Sequence, residues 1–148
     1  MINLYIDVDG VILGKNDPSS PLIVLARHAP EFLEFVVSNF SCFWLTTHCD
    51  GTSASVLNYL RRYTDADTLL LMAKIKPAKF KIFKTEVITG NFIWLDDAPM
   101  ASERAWLQSN GWLDRWIEVN TRKKPEDLLR VMGLLKTAND ASAESPAP

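Results

Sequence analysis

Short apolar runs alternate along this chain with longer segments in which apolar residues recur at helical spacing. The short runs have the length of buried strands and cover residues 2–7, 41–46, 91–95 and 116–119. The longer segments predict helices over residues 30–39, 52–62, 77–87, 100–109 and 125–136. Residues 68–72 fit either a further strand or a short helix. This alternation predicts an α/β, Rossmann-like three-layer sandwich, with helices on both faces of a parallel sheet of about five strands.

The length and the distribution of turn residues predict one domain. With 148 residues and a hydrophobic fraction of 47%, the chain can bury a single sizeable core. Glycine and proline are frequent between residues 10 and 26, which we interpret as a loop with a short hairpin. We place the domain at residues 1–136. Residues 137–148 are rich in Ala, Ser and Pro, and we expect them to be a disordered tail.

Composition narrows the range of partners and compartments. A formal net charge of −2 gives no strong nucleic-acid signal. No apolar run approaches the ~20 residues of a membrane span, so no membrane association is expected. The N-terminal segment lacks a basic region, and we expect no signal peptide. The two cysteines, Cys42 and Cys49, make no disulfide framework, and we expect a cytoplasmic protein.

The residues Asp7-Val8-Asp9-Gly10, directly after the first apolar run, carry the strongest chemical signal. Side chains two apart in an extended segment point the same way, and a turn at Gly10 would aim both carboxylates into one crevice. One acid can then act as nucleophile while the other handles protons. Two adjacent carboxylates repel each other, which implies a hard divalent cation between them. The alternative without a functional role is a strand that ends in a polar turn.

Two more predicted strands end in polar residues, at Thr46-Thr47 and at Asp96-Asp97. In a parallel sheet covered by helices, ligands bind beyond the carboxyl ends of the strands. The predicted topology therefore brings three separate polar clusters to one edge, close to a lysine-rich segment that precedes Asp96. This convergence argues for a functional site more strongly than any one motif does.

This set of motifs resembles the haloacid dehalogenase-like (HAD) superfamily, whose members are mostly phosphatases. The first motif of that family is an apolar strand ending Asp-x-Asp-Gly, here residues 4–10. The second is an apolar strand ending in Thr or Ser, here residues 43–47, and the third is a lysine at or near a helix start. The fourth is an apolar strand ending in paired acids, here residues 92–97.

The resemblance implies a role for each matching residue. Asp7 would be the nucleophile that forms an aspartyl-phosphate, and Asp9 the general acid and base. Thr46 would bind the phosphoryl group. Mg2+ would be held by Asp7, by the backbone carbonyl of Asp9 and by Asp96, with help from Asp97. The implied activity is a Mg2+-dependent phosphatase acting on a phosphorylated substrate.

The third motif stays open among several lysines. We favour Lys81 as the catalytic lysine, because Phe80-Lys81 resembles a Phe-Lys pattern in small bacterial members of the family. Lys76, before the predicted helix start at Pro77, is the next choice and is retained as a substrate-binding residue. The other competitors in this segment are Lys74, Lys79 and Lys84.

Three further residues are assigned to substrate binding. Thr47 could replace Thr46, since a one-residue error in the strand end exchanges them. Gly10 would shape the turn beside the phosphate. His48 could line the rim of the site, against the alternative of an incidental histidine. His28, His48 and Cys49 fit no structural zinc pattern.

The spacing between motifs leaves no room for a cap domain. The segments where relatives insert caps are short here, so the chain resembles the capless class, whose open site suits a bulky phosphorylated substrate. A second subunit, in a homodimer, could serve as the lid. The alternative is a non-catalytic phosphate-binding or regulatory domain on the same fold. Dehalogenation is disfavoured because Asp9 supplies an acid and base that this reaction does not need.

Overall fold

The computed structural model of the protein describes residues 1–144. Its strands are β1 (Asn3–Ile6), β2 (Leu13–Gly14), β3 (Val24–Leu25), β4 (Ser41–Trp44), β5 (Lys76–Pro77), β6 (Phe92–Asp96) and β7 (Trp116–Glu118). Its α-helices are α1 (Ala29–Asn39), α2 (Ser53–Leu60), α3 (Ala66–Met72), α4 (Ala101–Ser109) and α5 (Asp127–Glu144). Short 3-10 helices cover Arg61–Tyr63, Lys84–Glu86 and Leu113–Arg115.

Five of the strands form one parallel sheet in the order β5-β4-β1-β6-β7. β1 lies at the centre, where Ile6 pairs with Trp44 of β4 on one side and with Leu95 of β6 on the other. The predicted α/β fold with about five parallel strands is therefore confirmed. The carboxyl ends of β1, β4 and β6 meet at one edge, as the positions of the polar clusters require.

The sheet separates two hydrophobic cores, because successive residues of a strand point to opposite faces. Leu4 and Ile6 pack into the larger core together with residues of α1, α2, α3 and α5. Tyr5 points the other way and packs with Trp94 and with Leu107 of α4. Helices thus flank both faces, which makes the three layers of a Rossmann-like sandwich.

A small hairpin follows the first motif. β2 and β3 pair antiparallel, with Leu13 opposite Leu25. Thr121, after β7, holds this segment: its hydroxyl donates to the carbonyl oxygens of Val11 and Leu13 at 3.1 and 3.2 Å. The predicted hairpin between residues 10 and 26 is thus present.

The helix predicted over residues 77–87 is wrong. Pro77 belongs to β5, and most of the remaining segment is irregular up to the 3-10 helix at Lys84–Glu86. The carboxylate of Glu86 accepts hydrogen bonds from the backbone N–H groups of Lys81, Ile82 and Phe83 at 2.8–3.0 Å. A side chain that binds backbone donors in this way competes with helix formation. Residues 68–72, which the pattern left undecided, belong to α3.

The last helix is longer than expected. α5 continues to Glu144, whereas the sequence predicted its end at Lys136 and a disordered tail from residue 137. Ala138 packs against the larger core, and the Asn139 side chain donates to Asn39 at 3.3 Å. Alanine is also the best helix former, so this composition suits a helix with even modest support. Residues 145–148 of the predicted tail lie outside the described residues.

Within residues 1–144, we find no helix that combines the length and the apolar character needed to cross a membrane.

Candidate functional site

Three carboxylates lie together where β1 and β6 end. Asp7 follows β1 directly, and its backbone N–H donates to the carbonyl of Leu95 at 3.1 Å, which continues the pairing with β6. Asp96 is the last residue of β6, and Asp97 follows it. One carboxylate oxygen from each of these three residues lies within 4.8 Å of the others. The predicted convergence of the first and fourth motifs is therefore present.

Burial and mutual repulsion make it unfavourable for all three carboxylates of this cluster to be ionised at once. Only 10% of the Asp7 side chain and 2% of the Asp96 side chain are exposed. Burial, and then the nearby charge of Asp96, raise the pKa of Asp7 to about 7, against the lowering effect of Lys84. The pKa of Asp97 is also raised, by burial and by Asp96. Any further cation would therefore favour the ionised form of these groups.

Lys84 is the lysine that reaches the cluster. Its ammonium lies 2.6 Å from Oδ2 of Asp96 and 3.0 Å from Oδ2 of Asp7. Burial alone would lower the pKa of Lys84, but the charges of Asp7 and Asp96 raise it above its usual value. Lys84 is therefore a charged, largely buried cation directly beside the two most buried carboxylates.

Glu103 holds the backbone that carries Lys84. This buried side chain, on α4, accepts a hydrogen bond from the backbone N–H of Lys84 at 2.7 Å. Its other oxygen accepts from the backbone N–H of Met100 at 2.9 Å, at the start of the same helix. One carboxylate therefore ties the lysine segment to the helix that follows Asp96 and Asp97.

The preferred lysine, Lys81, makes no ion pair with Asp7 or Asp96, whereas Lys84 pairs with both. The side chain of Lys81 is exposed, as is that of Lys76, whose ammonium donates to the Ser41 hydroxyl at 3.2 Å. The expected helical register fails because the segment folds around Glu86 instead. A usable signal was present: Phe83-Lys84 matches the Phe-Lys pattern as well as Phe80-Lys81 does.

Position 10 requires glycine for two reasons, its backbone angle and the close approach of Asp97. Its φ is +78°, a conformation that residues with a Cβ rarely adopt. A Cβ at this position would lie 2.5 Å from Oδ2 of Asp97. The absence of a side chain thus lets Asp97 approach the turn that follows Asp7 and Asp9.

The two threonines of the second motif differ in burial. Thr46 is 1% exposed, and its hydroxyl accepts a hydrogen bond from the backbone N–H of His48 at 3.3 Å. Thr47 is exposed. Of the two alternatives, Thr46 is the one that the fold buries just beyond β4.

Asp9 lies apart from the three clustered carboxylates. Its Oδ2 is 2.8 Å from Nε2 of His48, and 37% of its side chain is exposed. The ring of His48 stacks on Tyr59 of α2, with ring centroids 3.7 Å apart and planes inclined by 12°. His48 therefore belongs to the site through Asp9, a contact that the sequence did not predict.

Sequence reasoning also missed Glu103 and Tyr59. Glu103 stands at the third position of α4, where an acid that binds backbone N–H groups is common, and that position was a usable signal. Tyr59 lies on a half-buried helix face, and nothing in the local pattern distinguishes it from an ordinary core residue.

The donor set suits a hard divalent cation. Asp7, Asp96 and Asp97 supply carboxylate oxygens, which Mg2+ prefers, and an added cation would offset the repulsion that raises the pKa of Asp7 and Asp97. The absence of a side chain at Gly10 leaves the space in which the Asp97 carboxylate joins Asp7 and Asp96. The backbone carbonyl of Asp9, the fourth expected ligand, stays a prediction.

Comparison of the chain with models of known protein families, with curated proteins and with solved structures gives no match.

Proposed function

We propose that this protein is a Mg2+-dependent phosphatase of the HAD-like superfamily that works through an aspartyl-phosphate on Asp7. The observation that carries the proposal is the cluster formed by Asp7, Asp96, Asp97 and Lys84 at the carboxyl edge of a parallel sheet. Asp9 follows Asp7 by two residues and keeps its carboxylate outside that cluster. A nucleophile, a separate proton carrier and a buried cation are the parts that phosphoryl transfer needs.

In the first step, a carboxylate oxygen of Asp7 attacks the phosphorus of a phosphate monoester. The bond from phosphorus to the leaving oxygen breaks, and Asp9 donates its proton to that oxygen. In the second step, Asp9 takes a proton from a water molecule, whose oxygen attacks the phosphorus. The bond to Asp7 breaks, and inorganic phosphate leaves with Asp7 restored as a carboxylate.

Charge balance assigns the remaining residues. Asp7, Asp96 and Asp97 would hold Mg2+, which supplies positive charge against the phosphate oxygens. Lys84 neutralises charge on Asp7 and would neutralise charge on the transferring group, in a partly dry site where such an interaction is strong. The Thr46 hydroxyl would donate to a phosphoryl oxygen. With these charges compensated, the nucleophile is ionised and the substrate dianion can approach it.

The segments between the motifs support an open site. Residues 10–29 form the small hairpin, and residues 48–76 form α2, α3 and the start of β5. Neither segment is long enough for a separate cap. We therefore propose a bulky phosphorylated substrate. Mg2+ as the cofactor, a homodimer as the source of a lid and the cytoplasmic location stay predictions.

Hydrolysis of 4-nitrophenyl phosphate tests the proposal. We expect turnover by the wild type with Mg2+, none with EDTA, and none above background for Asp7→Asn. Asp114→Asn changes an exposed acid outside the site and should match the wild type. Turnover that persists in EDTA or in Asp7→Asn would reject the mechanism. Binding of Mg2+ and phosphate without turnover of any phosphate monoester would favour the non-catalytic alternative.

A further inference from the structure

We infer that His48 is a positioning residue for Asp9: it holds one oxygen of that carboxylate and leaves the other for proton transfer. The inference rests on the proposed phosphatase function. It differs from the expectation that His48 binds substrate, because the residue acts here through Asp9.

The contacts of Asp9 carry this inference. Oδ2 of Asp9 lies 2.8 Å from Nε2 of His48. Within residues 1–144, Oδ1 of Asp9 has no hydrogen-bond partner. One oxygen is therefore fixed by the imidazole while the other is available to a leaving group or to water. Lys84 pairs with Asp7 and Asp96 and makes no ion pair with Asp9, so His48 is the partner that holds this carboxylate.

The imidazole is itself held on two sides. The backbone N–H of His48 donates to the Thr46 hydroxyl at 3.3 Å, which anchors the residue next to the second motif. The ring lies flat on Tyr59, with centroids 3.7 Å apart. The Arg62 guanidinium carbon lies 5.9 Å from the centroid of Tyr59, and the Tyr63 ring centroid is 5.8 Å away. A stacked ring with an anchored backbone has little freedom to rotate, so Nε2 presents a fixed point to Asp9.

Such an anchor matters because of where Asp9 stands. Gly10, with φ +78°, begins the turn directly after Asp9, and the Asp9 side chain is more exposed than those of Asp7 and Asp96. An exposed side chain samples several rotamers unless a partner selects one. Proton transfer requires the donor within hydrogen-bond reach of the reacting oxygen, so a rotamer that points elsewhere is unproductive. The His48 contact selects one rotamer before substrate arrives.

A positioning role and direct substrate binding predict different kinetics. A residue that only binds phosphate changes KM for every phosphate ester alike. A residue that places the general acid changes the first step most for esters whose leaving group needs the proton. The value of kcat/KM reports that first step, so its dependence on the leaving group distinguishes the two roles.

The test compares 4-nitrophenyl phosphate with phenyl phosphate, whose phenolate is the poorer leaving group. We expect His48→Ala to lower kcat/KM about 10-fold for the first and about 100-fold for the second, within the range of general acid catalysis. His48→Gln keeps a donor at a similar reach and should recover most of the loss on both esters. In an Asp9→Asn background, His48→Ala should cause no further loss, because residues that act as a unit are not additive.

The matched control is the other histidine, which also pairs with a carboxylate. His28 pairs with Glu126 and not with Asp9, and its positive φ of 66° is one that asparagine tolerates. We therefore expect His28→Asn to keep wild-type kinetics on both esters.

The outcomes separate this inference from the proposed function. If the wild type hydrolyses neither ester, the proposed function fails and the inference fails with it. If the wild type is active and His48→Ala loses the same factor on both esters, or loses activity further in the Asp9→Asn background, the positioning role is rejected while the phosphatase stands. Equal activity of His48→Ala and wild type rejects it as well.

Discussion

The ammonium of Lys84 lies 3.0 Å from a carboxylate oxygen of Asp7, although the two residues stand 77 positions apart and no α-helix positions the lysine. The contact depends instead on a turn folded around Glu86 and on the hydrogen bond from the Lys84 backbone to Glu103. This cation is fixed at the backbone, so it can stabilise charge without first being ordered by substrate.

Replacement of Lys84 should therefore disable the site. We expect Lys84→Ala to lower kcat about 10^2–10^3-fold, the range found when one preorganised charge-stabilising donor is removed. Lys81→Ala and Lys76→Ala should each stay within about two-fold of wild type, because their side chains are exposed. Steady-state kinetics on 4-nitrophenyl phosphate with saturating Mg2+ would measure this. A dead Lys81→Ala beside an active Lys84→Ala would restore the assignment made from the sequence.

The raised pKa of Asp7 predicts how metal-free stability depends on pH. The pKa of Asp7 is about 7 in the fold against 3.8 for the unperturbed side chain, so the fold favours the protonated form below about pH 7. The stability contributed by protonated Asp7 is complete below 3.8 and is lost as the pH rises through about 7. Asn at this position never acquires the charge and so avoids this loss.

We expect Asp7→Asn and wild type to melt at similar temperatures near pH 4 in EDTA, and the variant to be more stable by about 1–3 kcal/mol near pH 8. At this chain length that gain corresponds to several degrees in Tm, at about 2–4 °C per kcal/mol. The difference between the two melting curves cancels the titration of groups that do not interact with Asp7. A difference that does not grow between these two pH values would contradict the raised pKa.

Gly10 and Gly111 offer a matched pair for testing the carboxylate trio. Both have positive φ, +78° and +71°, so alanine strains the backbone similarly at either position. A Cβ at Gly10 would meet Asp97 at 2.5 Å, whereas a Cβ at Gly111 has no neighbour within 4 Å. The difference between the two variants therefore isolates the displacement of Asp97.

We expect Gly10→Ala and Gly111→Ala each to lose about 1–2 kcal/mol of metal-free stability from backbone strain. Saturating Mg2+ should raise the Tm of Gly111→Ala as much as that of wild type, and raise the Tm of Gly10→Ala far less. Thermal melts with Mg2+ and with EDTA supply both numbers. An equal Mg2+ response in the two variants would remove Asp97 from the metal site.

Glu103 should be needed for both stability and activity. Its two oxygens accept backbone donors from Lys84 and Met100. Glu103→Gln keeps one acceptor and leaves the other backbone N–H facing an amide group, at a cost of about 1–3 kcal/mol. The displaced Lys84 backbone should also lower kcat more than it raises KM.

Glu86→Gln is the control for Glu103→Gln. Glu86 also accepts backbone N–H groups, but it is exposed, so water can replace the lost bonds. Denaturant unfolding and steady-state kinetics on both variants would show whether burial makes the difference. Equal losses in the two variants would mean that the burial of Glu103 does not make the difference.

The parts of the fold that could be predicted are those in which the pattern of apolar residues along the sequence reflects burial. β1 and β6 are buried on both faces, so their sequences are continuous apolar runs, and paired acids mark where they end. β5 has only two residues, Lys76 and Pro77, and both are exposed, so no apolar pattern could reveal it. The end of α5 was missed because its contacts at Ala138 and Asn139 involve distant parts of the chain.

In the candidate site too, residues at strand ends could be predicted from the sequence, whereas residues placed by distant contacts could not. Asp7, Asp9, Asp96 and Thr46 stand at strand ends, and the strand pattern alone assigns them to one edge. Lys84 could not be chosen over Lys81, because the choice depends on the turn around Glu86 and on the contact with Glu103, and neither is periodic. The pairing of His48 with Asp9 joins residues 39 positions apart, and it appears only once β4 lies beside β1.

The shortness of the two outer strands has a consequence for self-association. β5 contributes only Lys76 and Pro77 to one margin of the sheet, and β7 contributes only Trp116–Glu118 to the other. Pro77 has no N–H to donate, and lysine and proline at a margin hinder the addition of another strand. A second molecule therefore finds little free backbone on which to extend the sheet, which protects the folded chain against edge-to-edge aggregation. Pairing of two copies would have to use side-chain surfaces instead.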